Sequence, residues 1–203
     1  MNKNLIELMG EEKVFPIIRK GNKQVVIDTV KAFIDAGIKV LEVNLESPEV
    51  YSAIEEFRNE DIVICAGGVI TSIQAHAAIN SGAKLLSSPI FQMNLVKISK
   101  DSHVPLIAGA STANEAYNAW KARVPIIKLY PITAMGGVLY VEDLLRPMPF
   151  LNVLVQGNVK INEVMSYINA GACAVGIGRD LYEGYSYSEI TKRAKYLIKT
   201  LKG

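Results

Sequence analysis

The sequence predicts an α/β protein, a single-domain (β/α)8 TIM barrel over residues 1–203 with a short N-terminal helix ahead of the first strand. Three observations carry that prediction. Short apolar runs alternate strictly with amphipathic stretches, which means a parallel sheet with helices outside it. The alternation counts to eight strand-helix units, the number that closes a barrel. Helices end in Ala36-Gly37, Ser81-Gly82 and Ala170-Gly171 just before a strand, where glycine takes the left-handed conformation that releases the chain. A doubly wound sheet is the rival architecture and would also place its crevice at the strand C-termini, but no dinucleotide fingerprint follows the first strand.

In chain order, a helix at about 2–10 leads to an apolar run at 14–19, too short for a core helix and therefore the first strand. Helix 23–36 and strand 39–44 follow, then helix 48–57 with strand 62–66, and helix 72–81 with strand 84–88. Helix 92–99 precedes strand 104–108, and helix 112–122 precedes the run Val124-Pro125-Ile126-Ile127-Lys128-Leu129-Tyr130-Pro131, a buried strand bracketed by prolines. A helix near 141–145, strand 152–156, helix 161–170, strand 172–177 and helix 187–201 complete the set. No linker, low-complexity segment or break in composition divides the chain.

Composition narrows the function classes. Half of the 203 residues are apolar and about a fifth are charged, as in a globular chain with a sizeable core. The net charge of +2 comes from scattered lysines and arginines, which argues against a nucleic-acid partner. The opening Met1-Asn2-Lys3-Asn4-Leu5-Ile6-Glu7-Leu8-Met9 lacks the apolar core of a signal peptide, and no apolar run approaches a membrane span. A cytoplasmic protein with no membrane partner is expected. Cys65 and Cys173 read as small core residues without metal-ligand spacing, and His76 and His103 lie far apart, so neither a metal nor a cofactor is expected.

The informative charges lie in strands. Side chains alternate along a strand, so Ile126, Lys128 and Tyr130 share one face while Ile127 and Leu129 share the other. In a barrel the same alternation sends Val40, Glu42 and Asn44 inward with Leu41 and Val43 facing the helices, and sends Phe15, Ile17 and Arg19 inward opposite Val14, Pro16 and Ile18. Arg19, Glu42 and Lys128 therefore approach one another at the strand ends, where the active sites of this architecture lie. Burial favours the neutral form of a lysine amine, which is a carbonyl nucleophile. The plainer readings are a lysine whose stem covers apolar surface while its head reaches water, and a structural network of paired buried charges. Position at strand ends favours function.

These residues resemble a known family. Leu41-Glu42-Val43, Ala66-Gly67-Gly68-Val69, Ser88-Pro89, Gly109-Ala110-Ser111-Thr112, Ile127-Lys128-Leu129-Tyr130-Pro131 and Ala170-Gly171-Ala172-Cys173-Ala174-Val175-Gly176-Ile177-Gly178 are similar, in order and spacing, to the bacterial aldolases that cleave 2-keto-3-deoxy-6-phosphogluconate (KDPG) or 2-keto-4-hydroxyglutarate (KHG). The resemblance implies a metal-independent class I aldolase that cleaves a 2-keto-4-hydroxy acid to pyruvate plus an aldehyde. It implies that Lys128 forms the Schiff base, that Glu42 transfers protons, and that Arg19 meets the keto-acid carboxylate with two parallel donors. The guanidinium charge also disfavours a second cation beside it. The substrate-binding shell implied comprises Arg19, Gly68, Pro89, Tyr130, Gln156, Gly157, Asn158, Gly178 and Arg179, and the assembly implied is a homotrimer.

The departures from the family pattern fall in that shell. Glu46 stands where many members carry an arginine and is expected to repel an anionic substrate. Cys65-Ala66-Gly67-Gly68 replaces Gly-Ala-Gly-Thr, Gln156-Gly157-Asn158 replaces Thr-Gly-Gly, and Gly178-Arg179-Asp180 replaces a Gly-Ser or Gly-Gly-Ser turn. The last two loops are where barrels commonly grip phosphate. Asn158 tolerates a positive φ better than most residues, so it can keep the loop conformation. Arg179 is either an anion-gripping charge or a surface arginine at a helix start. Four accounts follow: a KDPG/KHG-type aldolase, an aldolase for another and less anionic 2-keto acid, a non-catalytic keto-acid-binding or regulatory paralogue, and a phosphate-binding barrel with unrelated chemistry. Trp120 suits either a subunit interface or packing of its helix on the barrel.

Overall fold

Strands buried on both faces read as continuous apolar runs, and that is how the barrel is built. The computed structural model describes residues 5–202. Among these, the strands are β1 (Val14–Ile18), β2 (Val40–Asn44), β3 (Val63–Gly67), β4 (Leu85–Ser87), β5 (Leu106–Ala110), β6 (Ile126–Leu129), β7 (Val153–Gln156) and β8 (Ala174–Ile177). Each pairs in parallel with the next and β1 pairs with β8, which closes an eight-stranded TIM barrel. The helices are α1 (Leu5–Glu12), α2 (Lys23–Asp35), α3 (Glu49–Glu55), α4 (Ser72–Asn80), α5 (Met93–Asp101), α6 (Ala113–Lys121), α7 (Val138–Leu145), α8 (Val164–Asn169), α9 (Arg179–Tyr182) and α10 (Tyr187–Lys202). The expected N-terminal helix is α1, and the part of that expectation at 2–4 lies outside the described residues. No helix among the described residues is long and apolar enough to cross a membrane.

The alternation of side chains divides the core into two shells. Leu41 and Val43 of β2, Ile127 and Leu129 of β6, and Val14 and Ile18 of β1 face the helices. Phe15, Ile17, Val40, Cys65, Leu85, Ile107, Ile126 and Leu154 fill the lumen, with Leu8 and Met9 of α1 inserted beneath them as a stopper. Full burial of each such side chain stabilises by about 1.5–3 kcal/mol, so the lower lumen is a cohesive hydrocarbon core. At the outer ring's seam, α10 lies on α2, where Thr191 Oγ1 donates to the Ala32 carbonyl at 3.0 Å.

The helix-to-strand turns use the left-handed conformation as expected: φ is +93° at Gly37, +97° at Gly82 and +104° at Gly171. Three further turns reach it with larger residues, Lys13, His103 and Arg123. His103 explains a shift in β5, expected at 104–108 and found two residues later. The Val104 N–H is still engaged by the Ser99 carbonyl of the preceding helix end, and Pro105 has no N–H to offer the sheet. Cys173 lies just ahead of β8 and is partly buried, not inside a strand. The helix expected at 161–170 begins as a 3-10 turn over Ile161–Glu163, and the single-turn α9 had no periodicity long enough to reveal it. Trp120 stacks on Tyr117 and tilts against Phe150 in an exposed aromatic cluster.

Candidate active site

Two residues further along the inward faces, hydrocarbon gives way to polar atoms. β2 carries Glu42 and then Asn44 into the lumen, β4 carries Ser87, β6 carries Lys128 and β7 carries Gln156, and all five are buried. Lys128 Nζ donates to Ser87 Oγ at 2.8 Å and stands 3.9 Å from Glu42 Oε2. Neither Glu42 oxygen has a hydrogen-bond partner among the described residues, nor has Asn44 Oδ1 or Gln156 Oε1. Buried acceptors without donors are rare in native proteins and point to a site that meets its donors in a ligand. Cys65 lies beside the same pair: burial pushes its thiol well above the ordinary range, the Glu42 carboxylate adds to the shift, and Lys128 opposes it.

Two glycines make the room. Gly67 on β3 lies directly under the β2 side chains, and a methyl group there would meet Glu42 Cγ and Cδ at 2.5 Å and Asn44 Oδ1 closer still. Gly109 pairs in register with Lys128, and a methyl group there would run into the Pro89 carbonyl and the Ile90 nitrogen. Its bare backbone lets the loop after β4 lean inward, which brings Pro89 to the site.

The outcome is a cavity of about 140 Å³ lined by Arg19, Glu42, Asn44, Gly68, Pro89, Lys128, Tyr130 and Gln156. Arg19, Tyr130 and Gln156 also border a wider cavity of about 590 Å³, whose far wall includes Gly157, Asn158, Gly178 and Arg179. Arg19 follows β1 directly, with its backbone N–H donating to the Tyr182 hydroxyl at 2.9 Å. Gly157 and Asn158 take successive positive φ values of +124° and +53°, so asparagine keeps the loop conformation expected of it. Arg179 Nε lies 3.7 Å from Glu183, and Asp180 accepts from the Ile161 N–H at 2.9 Å, so this outer wall is braced by carboxylates.

The structure therefore brings Arg19, Glu42 and Lys128 to one cavity with Gly68, Pro89, Tyr130 and Gln156, and sets Gly157, Asn158, Gly178 and Arg179 in the outer one. Glu46 lines neither. It is exposed and accepts from Asn44 Nδ2 at 3.2 Å. Ser87 carries no assignment in the sequence reading, although a serine in an apolar strand, two residues after an inward leucine, was a legible signal. No three His, Cys, Asp or Glu side chains among the described residues gather as a metal site. What the arrangement offers is an amine, a carboxylate and a guanidinium around a small volume, which suits addition to a keto group and proton transfer next to it.

A family model for KDPG and KHG aldolases matches residues 5–193. A 2-dehydro-3-deoxy-phosphogluconate aldolase of Haemophilus influenzae is 25% identical over 98% of this chain and 97% of that protein. A 2-dehydro-3-deoxy-6-phosphogalactonate aldolase of Escherichia coli is 29% identical over 84% of this chain and 85% of that one. Among solved structures, one described as native KDPGal superposes with a TM-score of 0.84 at 27% identity, covering 93% of this chain and 94% of the other. KDPG aldolase from Legionella pneumophila, with pyruvate captured as a covalent carbinolamine, superposes at 0.89 with 24% identity over 97% and 99%.

Proposed function

The chain belongs to the KDPG and KHG aldolase family, and on that premise we propose that it is a metal-independent class I aldolase cleaving a 2-keto-4-hydroxy acid to pyruvate and an aldehyde. The observation that carries the reading is the buried Lys128–Glu42 pair, 3.9 Å apart, in a cavity shared with Arg19. In this reading the Lys128 amine adds to the C2 keto group, and the carbinolamine loses water to an iminium with a proton supplied through Glu42. Glu42 then takes the proton of the C4 hydroxyl. The C3–C4 bond breaks, its electron pair enters the iminium as an enamine, and the aldehyde departs. Protonation at C3 from Glu42 restores the iminium, and water releases pyruvate and the free amine. Arg19 holds the C1 carboxylate through paired N–H donors. Gly157, Asn158, Gly178 and Arg179 receive the distal end, whose chemistry we leave as of the KDPG or KHG type.

The test is borohydride trapping with pyruvate, read by peptide mass spectrometry, with Lys128→Ala and Glu42→Gln alongside. A reduced pyruvyl adduct confined to Lys128 is expected. Folded wild-type protein that yields no adduct at saturating pyruvate would overturn the reading in favour of a keto-acid-binding or regulatory role. We further propose a cytoplasmic homotrimer, as the family resemblance implies. The exposed Tyr117, Trp120 and Phe150 supply apolar surface for such an assembly, and light scattering should return three times the 22.2 kDa of one chain.

A further inference from the structure

We infer that Asn44 is a positioning residue for the Lys128–Glu42 pair: its carbonyl accepts a hydrogen bond from protonated Glu42, so the pair's proton rests on the carboxyl and Lys128 is a free amine before substrate arrives. This rests on the aldolase reading above and assigns a residue that acts through Glu42 without touching substrate. A carboxylate only accepts hydrogen bonds, so the NH2 end of Asn44 is the end that meets Glu46, at 3.2 Å. The carbonyl end turns back over Gly67. There Asn44 Oδ1 and Glu42 Cδ both lie within 2.5 Å of one point, the place a methyl group on that glycine would occupy. Asn44 Oδ1 and both Glu42 oxygens are buried without a donor among the described residues.

Two acceptors packed over one bare glycine repel each other unless a proton lies between them. The groups around Glu42 narrow its source. Cys65, in register with Glu42 on β3, spends its weak S–H on the Ala66 carbonyl at 3.8 Å, and burial holds that proton on sulfur. Lys128 Nζ, 3.9 Å from Glu42 Oε2 and donating to Ser87 Oγ, is the remaining neighbour with a proton to give. One N–H bond of its ammonium breaks and an O–H bond forms on Glu42, which turns an ion pair into an amine and a carboxylic acid with nothing added or lost. Burial favours the exchange, because a buried carboxylate without donors is costly to keep ionised. The Arg19 charge in the same cavity opposes the ammonium but favours the carboxylate, so the hydrogen bond to Asn44 tips the balance. Lys128 is left with the lone pair that attacks the keto group. When the carbinolamine loses water the stored proton leaves with it, and Glu42 becomes the carboxylate that takes the proton of the C4 hydroxyl.

Infrared spectra of the pyruvate-free protein at neutral pH test the proton's place directly. Wild type should show the carbonyl stretch of a protonated carboxyl that moves in heavy water and is missing in Glu42→Gln. Asn44→Leu should lose that band and slow imine formation at saturating pyruvate, timed by borohydride quenching, by about 5- to 30-fold. Glu46→Ala changes an exposed residue and frees the Asn44 amide to turn its NH2 end toward Glu42, so it should act in the same direction. It keeps the test informative if Asn44→Leu fails to fold. Asn44→Asp combined with Glu46→Gln reverses the polarity of their hydrogen bond yet leaves an acceptor over Gly67, and should restore both band and rate. A purely structural Asn44 would lower the melting temperature without removing the band. A wild-type spectrum with no Glu42-dependent band overturns the inference, as does a band or a rate left unchanged in Asn44→Leu and Glu46→Ala, or a double variant no better than Asn44→Leu. In each of those cases wild type still forms the pyruvyl adduct at Lys128. Absence of that adduct in wild type overturns the aldolase reading itself, so the two failures are distinguishable.

Discussion

Replacing Gly67 by alanine should separate the chemistry of this site from its stability. The added methyl lies 2.5 Å from Glu42 Cγ and Cδ, whereas carbon atoms rest about 3.5–4.0 Å apart, so the acidic arm must retreat by about 1 Å or more. Glu42 is fully buried, so that retreat changes its placement relative to Lys128, now 3.9 Å away. A shift of this size in a catalytic group costs about 100-fold in rate, or roughly 2.7 kcal/mol of barrier. Overpacking costs about 1–3 kcal/mol of stability, a fall of roughly 2–12 °C in Tm for a chain this long. The assay is exchange of pyruvate methyl protons in deuterium oxide, followed by NMR, because it requires only the imine and a base at Glu42. Exchange should fall about 100-fold while borohydride still traps pyruvate on Lys128. Exchange within threefold of wild type would refute the reasoning, since it would mean that the carboxylate had not moved or does not carry the proton.

Ser87→Ala removes the acceptor that holds the Lys128 amine at 2.8 Å and should slow imine formation about 3- to 10-fold, with Ser87→Thr restoring it; borohydride quenching over time gives the rate, and a twofold effect or less would count against the role. Glu115 caps α6 by accepting from the Ser111 and Thr112 N–H groups, bonds to the Ser111 backbone chief among them, and these hold its carboxyl below the ordinary range. Its folded value is lowered, so its contribution is present above the unfolded carboxylate pKa and is lost as pH falls through the folded one. Glu115→Ala should therefore cost about 0.5–1 kcal/mol at neutral pH and nothing at strongly acid pH, as read by denaturant melts at both. Burial raises both thiols, Cys173 to about 11 and Cys65 well above its usual value. Iodoacetamide at pH 8 should accordingly leave both unlabelled in the folded protein and label both in urea; rapid native labelling of Cys65 would contradict its burial.

The barrel was legible because each strand repeats one rule. Val40, Glu42 and Asn44 alternate with Leu41 and Val43, and once eight such runs are counted the inward set is determined. The glycine-marked helix ends at Gly37, Gly82 and Gly171 were legible for a similar reason: only a special backbone conformation needs that residue there. His103 and Arg123 take the same conformation without announcing it, and β5 begins late because the Val104 N–H is held by the Ser99 carbonyl and Pro105 has none to offer. Convergence of Arg19, Glu42 and Lys128 on one cavity followed from alternation alone. The pairings within the site did not. That Ser87 meets Lys128 depends on contact between β4 and β6, two strands that do not pair with each other. That Glu46 accepts from the side chain of Asn44 depends on how the chain bends after β2, which alternation along the strand does not specify. The stacking of Trp120 on Tyr117 follows from their spacing on one helix, but Phe150 comes from another part of the chain.

The stopper at the foot of the lumen has a kinetic meaning. Leu8 and Met9 and the hydrocarbon above them fill the lower barrel, so traffic passes through the upper opening that Arg19, Tyr130 and Gln156 border. In the proposed reaction the outer fragment of a cleaved substrate stands between the inner fragment and that opening, and the inner fragment is still tethered to Lys128. The aldehyde must leave first and pyruvate second, an ordered release imposed by a blind-ended tube, in which pyruvate competes with the whole substrate for the free enzyme and the aldehyde does not.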